Sequence, residues 1–145
     1  MTRAQTGSAV LAEARCWIGT PYQHQASCRG AGTDCLGLVR GIWRALYGSE
    51  PCAVPPYRPD WDGLPGDEAL LQAAQTYFAP ISEPQPGDLI LFRPHPAGAA
   101  KHCAILSAPD CIIHAYWGRC VAETSLSAWW RRRQVAAFSF PHMEP

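Results

Sequence analysis

Apolar residues along this chain follow two periods, a helical one first and a strand-like one after. Residues 8–18, Ser-Ala-Val-Leu-Ala-Glu-Ala-Arg-Cys-Trp-Ile, set Leu11, Ala14, Arg15 and Ile18 at helical spacing. Ser8 is a fitting N-cap, and Gly19-Thr20-Pro21 ends the run. Residues 35–47 repeat the pattern more strongly. Leu36, Val39, Trp43 and Leu46 with Tyr47 form one stripe, which Leu38 and Ile42 widen. Asp34 caps this second helix and Gly48 stops it. A stripe so wide places the helix centrally. A third helix is expected over residues 67–78, with Asp67 and Glu68 favourably placed in its first turn.

From residue 86 the period changes. Pro86-Gly87-Asp88 turns into Leu89-Ile90-Leu91-Phe92, a continuous apolar run that suits a buried strand. Further strands are expected near 102–106, 111–115, 120–123 and 134–140. Helices first and then an antiparallel meander make an α+β fold. Two stretches lie outside this scheme. Residues 19–33 form a long Gly/Gln/Ser loop, a kind that often carries function. Residues 49–66 hold Pro51, Pro55, Pro56, Pro59 and Pro65 and read as an irregular cover, with Tyr57 and Trp61 available to pack.

The length of 145 residues suits one domain, 1–145, with a real core. Formal net charge is zero, so no global field points to nucleic acid. The one basic run, Arg131-Arg132-Arg133, reads as a solvated element end or as a docking patch. No run approaches the roughly 20 apolar residues of a membrane span. The seven cysteines, at 16, 28, 35, 52, 103, 111 and 120, are odd in number and show no paired spacing. Met-Thr-Arg-Ala-Gln-Thr-Gly-Ser holds no apolar signal segment. Free thiols and synthesis in a reducing cytoplasm are therefore expected.

Cys35 changes the picture from fold to chemistry. It begins the second helix, where free N–H groups and the helix dipole stabilise a thiolate. Two histidines lie on neighbouring strands, His102 opening His-Cys-Ala-Ile-Leu and His114 closing Cys-Ile-Ile-His. If their hairpin is centred on Ala108, residue 102 lies directly opposite 114, with Cβ atoms roughly 5 Å apart. A slip of one residue would put them on opposite faces. His102, at the start of its strand, is the candidate base. His114 is the candidate group that fixes its tautomer. Asp34 complicates the thiolate, since a neighbouring carboxylate opposes it unless engaged in capping or substrate binding. Tyr22 can line the cleft or donate to an oxyanion. The N–H groups at the start of the second helix are the other candidate oxyanion donors.

Rival uses of these residues are weaker. Cys111-x-x-His114 has the short spacing of a zinc pair, but positions three apart on a strand face opposite ways. No metal site is expected. His24, His95 and His142 read as surface histidines, and Trp129 and Trp130 as core or edge packing rather than a sugar platform.

Taken together, the ordered pieces Trp17-Ile18-Gly19-Thr20-Pro21-Tyr22, Asp34-Cys35-Leu36-Gly37-Leu38-Val39, Pro86 to Phe92, His102 to Leu106 and Ile113-His114-Ala115 resemble the NlpC-type cysteine peptidases. These are bacterial cell-wall endopeptidases with a papain-like fold. The resemblance implies a single papain-like α+β domain, with the nucleophile at a helix N-terminus packed on an antiparallel sheet. It implies Cys35 as nucleophile, His102 as base and His114 as third polar residue. It also implies that Tyr22 lines the site and that Asp34 meets a substrate amine. The implied substrate is the peptidoglycan stem peptide, cut between D-glutamate and a diamino acid, with no cofactor. Leu36 stands where a serine often follows the nucleophile, and Cys103-Ala104 where Val-Gly is more usual.

The chain looks most like the branch found in phage tails and gene transfer agents. The features behind that likeness are His24-Gln25-Ala26-Ser27, Trp43 to Gly48 and the late tryptophan–arginine run. The expected partners are therefore tail or baseplate proteins. Cytoplasmic synthesis is then reconciled with action at the wall or periplasm by delivery on a particle. An amidase or acyltransferase with the same Cys–His chemistry, or a catalytically silent tail component, are the competing functions.

Overall fold

A computed structural model describes residues 2–54 and 68–142. Helix α1 spans Arg3–Cys16, and the second helix, α2, spans Cys35–Tyr47. Between them Ser27–Cys28 (β1) and Gly32–Thr33 (β2) pair as a small antiparallel ribbon. Helix α3 is Ala69–Tyr77. The remaining elements are β3 (Ala79–Pro80), β4 (Leu89–Phe92), β5 (His102–Ala108), β6 (Cys111–His114), β7 (Ala122–Ser125), the short helix α4 (Ala128–Arg131) and β8 (Gln134–Ser139).

The fold is α+β and papain-like. Its main sheet has the order β3-β8-β4-β5-β6-β7, with every pair antiparallel. The expected meander holds from β4 to β7 and then breaks. Strand β8 returns across the sheet to pair with β4, so β4 becomes interior instead of first. Helix α4, unforeseen in the sequence, makes that return.

Helix α1 begins five residues before the expected start. Thr2, not Ser8, is its N-cap, closed by a capping box with Gln5. Its buried positions are Thr6, Gly7, Val10 and Ala14, whereas Ile18 is exposed and Arg15 pairs with Glu123. Of the expected stripe, Ala14 is fully buried and Leu11 packs partly against the core, while Arg15 and Ile18 face outward. Small residues carry the buried face and leave little apolar signal. Helix α2 matches its expected limits. Asp34 accepts from Gly37 N at 2.7 Å, and Gly48 ends the helix at φ +93°. Its deepest side chains are Cys35, Leu38, Val39 and Ile42, with Leu36, Trp43, Leu46 and Tyr47 flanking them.

In α3, Glu68 is the N-cap residue but makes no cap bond; its carboxylate pairs with Arg93 and accepts from Ala100 N at 3.0 Å. Asp67, Tyr57 and Trp61 lie outside the described residues.

The sheet has a core on each face. Leu89, Leu91, Cys103, Ile105, Ile113 and Phe138 pack with α1 and α2. Ile90, Phe92, Ala104, Leu106, Ile112 and Ala137 pack with Trp130 of α4. This two-sided burial explains the unbroken Leu-Ile-Leu-Phe run. It also fixes where the next residues point: on β5, Cys103 faces the helices and His102 faces α4.

Candidate active site

Helix α2 delivers Cys35 to one end of the sheet. The loop before it is tied down through Asp34, whose Oδ1 takes the Gly37 N–H and whose Oδ2 takes the Gln25 N–H, both at 2.7 Å. Gln25 holds a left-handed φ of +65°, a conformation this bond helps to maintain. Ser27 Oγ donates to the Gly37 carbonyl at 2.6 Å, and a Cβ on Gly37 would stand 1.9 Å from the Ala26 carbonyl oxygen. So loop and helix start form one unit. Helix geometry leaves the N–H groups of Cys35 and Leu36 without intrahelical partners, available to a developing oxyanion.

Cys35 comes from the helix face and His102 from the other. They meet only because His102 begins its strand, at the sheet rim. The Cys35 Sγ lies 3.9 Å from the carbonyl oxygen of Lys101, the residue just before His102. His102 and His114 share the α4 face, but not in the expected register. Ile105 pairs with Ile113 and Leu106 with Ile112, which sets His114 opposite Ala104 rather than His102. A bulge between Leu106 and Ala108 moves the hairpin centre. The offset is two residues, not one, so the shared face survives. The two rings close the diagonal, His102 Nε2 to His114 Nδ1 at 2.8 Å. His114 repeats the step onward, with Nε2 2.9 Å from Thr124 Oγ1. Thr124 pairs with Ile112, again diagonal to His114.

The two histidines of this line are enclosed by aromatic rings. Trp130 stacks on His102 with centroids 4.9 Å apart and planes at 26°, and meets His114 edge-on at 5.5 Å. Phe92 and Tyr116 flank His102 at 5.9 and 5.5 Å. The tryptophan pair is therefore split in role. Trp130 is buried against the histidines, and Trp129 is exposed, with the Arg133 guanidinium 3.6 Å from its ring centre.

Environment sets the protonation states. The Cys35 thiol is lowered to about 5, first by the Cys103 thiol and then by hydrogen bonding and charge from His102. Burial and the Asp34 carboxylate work against this. Burial, then the neighbouring His102, lowers His114 to about 3. A neutral His114 accepts at Nδ1 from the Nε2–H of His102 and donates from its own Nε2 to Thr124, which fixes its tautomer. With Nε2 of His102 engaged, Nδ1 is the nitrogen left for Cys35. Such a set can attack a carbonyl carbon with a thiolate and protonate the departing group.

The two candidate binding residues differ in what they leave open. Tyr22 is half-buried, and desolvation together with Asp34 and Cys35 raises its hydroxyl to about 12, so it stays a donor. Asp34 is 3% exposed with both oxygens already accepting from backbone. His24 is half-buried, its Nδ1 4.0 Å from Asp34 Oδ2, and not the surface histidine expected. In the basic run, Arg131 donates to the carbonyls of Leu126 and Pro109, and Arg133 to those of Pro94 and Trp129. Thr124, Tyr116 and Trp130 join the site without a signal in the sequence reading. The β6–β7 pairing and α4 were needed to bring them in.

Comparison with known proteins agrees with this architecture. Residues 19–139 match the model of the NlpC/P60 family. Comparison with curated proteins finds no match. Among solved structures, the chain is 24% identical to the NlpC/p60 domain of the peptidoglycan hydrolase SagA, with a TM-score of 0.61, covering 92% of this chain and 98% of that one. A Staphylococcus aureus protein similar to lipoprotein, of the same family, is 23% identical at TM-score 0.62, with 95% of this chain and 42% of that chain covered. RipD of Mycobacterium tuberculosis, described as a non-catalytic NlpC/p60 domain protein adapted to peptidoglycan binding, is 14% identical at TM-score 0.56, covering 93% and 96%. At these identities the structures establish the fold alone, and with the family match across most of its length the chain belongs to the NlpC/P60 family.

Proposed function

We propose that residues 1–145 form one cysteine endopeptidase domain that cuts the stem peptide of peptidoglycan. The observation behind this reading is the meeting, at one sheet end, of a helix-start thiol lowered to about 5 with the buried His102–His114 pair, which Thr124 anchors from the exposed strand β7. In the reaction, the Cys35 thiolate attacks the scissile carbonyl. The oxyanion is held by the N–H groups of Cys35 and Leu36 and by the Tyr22 hydroxyl. His102 gives its proton to the leaving amine, and a thioester forms. His102 then takes a proton from water, which attacks the thioester and releases the acid. His114 holds the ring of His102, and Thr124 holds that of His114. Asp34 acts on a substrate amine through its charge, because its oxygens already serve the loop.

The proposed bond, D-glutamyl to diamino acid, follows from family resemblance, as does the particle. The likeness of residues 24–27, 43–48 and the late Trp–Arg run to tail-borne members supports a phage or gene-transfer-agent tail as carrier. An open groove of about 300 Å³ lined by Arg93, Pro96, Arg132, Arg133 and Val135 borders the 129–145 stretch, the proposed docking surface. Purified particles that lack this chain would end the tail reading.

Digestion of purified peptidoglycan tests the activity. Wild type should release fragments whose new termini, by mass spectrometry, mark a cut stem peptide. Cys35→Ala should release none. New termini at the sugar–peptide amide would instead identify an amidase. No product from the wild type on any wall chemistry would leave a binding domain.

A further inference from the structure

Cys103 is a residue that the peptidase reading does not require. It stands beside the base, where valine is more usual, and points to the helix side of β5. It is 1% exposed, and its Sγ–H donates to the carbonyl oxygen of Cys35 at 3.3 Å. Both are free thiols in the same core cluster. Cys16, Cys28, Cys52 and Cys120 are exposed and Cys111 is half-buried, so Cys103 is the cysteine placed to meet Cys35.

We propose that Cys103 is a resolving thiol, which closes a disulfide with Cys35 after a hydroperoxide has oxidised Cys35, and so silences the site reversibly. The proposal rests on Cys35 being the reactive thiolate of the reading above, and not on its substrate.

The chemistry balances in two steps. The Cys35 thiolate attacks the terminal oxygen of the hydroperoxide. An S–O bond forms, the O–O bond breaks, and the hydroperoxide leaves as an alkoxide, or as hydroxide if it is hydrogen peroxide. Protonation from His102 completes the alcohol or water and leaves Cys35 as the sulfenic acid. Cys103 sulfur then attacks the Cys35 sulfur. The S–S bond forms, and the hydroxyl leaves with the Cys103 proton as water. The thiol pair has lost two electrons and the peroxide bond has gained them.

Electrostatics order these steps. While Cys35 is a thiolate, the hydrogen bond and charge it offers hold Cys103 well above the ordinary thiol range, along with burial. Cys103 therefore stays protonated and unreactive during catalysis. Converting Cys35 to a neutral sulfenic acid removes that charge, and Cys103 ionises more easily just when a nucleophile is needed. Access gives the same order, since Cys35 is 9% exposed against 1% for Cys103. Without a resolving thiol the sulfenic acid goes on to sulfinic acid, which simple thiols do not reverse.

The test uses the full chain treated, while folded, with hydrogen peroxide. The wild type should lose two hydrogens, yield a peptide linking the segments around Cys35 and Cys103, and lose iodoacetamide labelling at Cys35. Dithiothreitol should restore the labelling. Cys103→Val should instead gain two oxygens at Cys35, with no restoration. A background with Cys16, Cys28, Cys52, Cys111 and Cys120 changed to Ser simplifies the masses. The linked peptide in wild type needs no substitution at all, so a variant that fails to fold does not block the test. Overoxidation of Cys35 in wild type at the rate seen in Cys103→Val, with no linked peptide, overturns the proposal and leaves the peptidase reading standing. A Cys35 that reacts with neither peroxide nor iodoacetamide overturns both.

Discussion

Trp130 lies face to face with His102, ring centres 4.9 Å apart and planes at 26°. An indole face attracts a cation, a contact worth about 0.5–2 kcal/mol, and the charge of His102 is one of the influences that lower the Cys35 thiol. Trp130→Leu keeps bulk but removes the π face. It should lower kcat/KM by roughly tenfold and move the pH midpoint of Cys35 alkylation upward. Trp130→Phe, which retains a ring, should recover most of both. A Leu variant with lower thermal stability but an unmoved alkylation midpoint would reduce Trp130 to packing alone.

Alkylation of Cys35 should follow its thiolate. With the thiol lowered to about 5, iodoacetamide labelling should rise through pH 5 and be level by neutrality. The exposed Cys16, Cys28, Cys52 and Cys120 should label more slowly than Cys35 at neutral pH. Cys103→Ala removes the largest lowering influence and should shift the Cys35 midpoint up. Peptide-resolved mass spectrometry across a pH series reads both results. Faster labelling of Cys16, Cys28 or Cys52 at neutral pH would remove Cys35 from the nucleophile role.

The two histidines should fail differently. His102→Ala removes the proton carrier and should abolish turnover. His114→Gln or Asn leaves a polar group able to orient His102 and should retain a measurable fraction. Thr124→Val takes away the far anchor at 2.9 Å and should cost less than either. Full activity in both histidine variants would sink this division of roles.

How much of this site was legible depends on the range of the interactions that build it. Asp34, Cys35 and Gly48 are set by local rules of capping, and the limits of α2 followed from them. The buried strands β4 and β5 were legible from unbroken apolar runs. Register was harder. The His102–His114 pairing depended on a bulge near Ala108 that leaves no mark in the turn sequence, and only the even offset preserved the shared face. Trp130 could not be placed from its spacing, because α4 is a four-residue helix and β8 crosses back to β4. The first turn of α1 was missed for a related reason: Thr2 and Gln5 fix it through polar groups, where apolar spacing is silent.

Acid should unfold the protein partly through His114. Burial and His102 lower its imidazole to about 3, against 6.5 for the free group. The sign follows from proton counting. Between these values the unfolded chain binds a proton at residue 114 that the folded chain refuses, so stability rises with pH across the window. On acidification the contribution is intact above 6.5 and drains away as pH falls toward 3, at roughly 1.4 kcal/mol per pH unit. Glu50, Glu68 and Glu123, each held below the usual carboxylate range by arginine hydrogen bonds against burial, add acid sensitivity lower in the same range. They are common to wild type and variant, so a difference isolates the histidine. His114→Gln cannot take up the proton in either state. Its urea-unfolding free energy, measured from pH 7 to pH 4, should fall less steeply than that of wild type, even if its stability at pH 7 is lower. Parallel slopes for the two proteins would show that His114 titrates alike folded and unfolded, and would take away the neutral tautomer on which its hold of His102 depends.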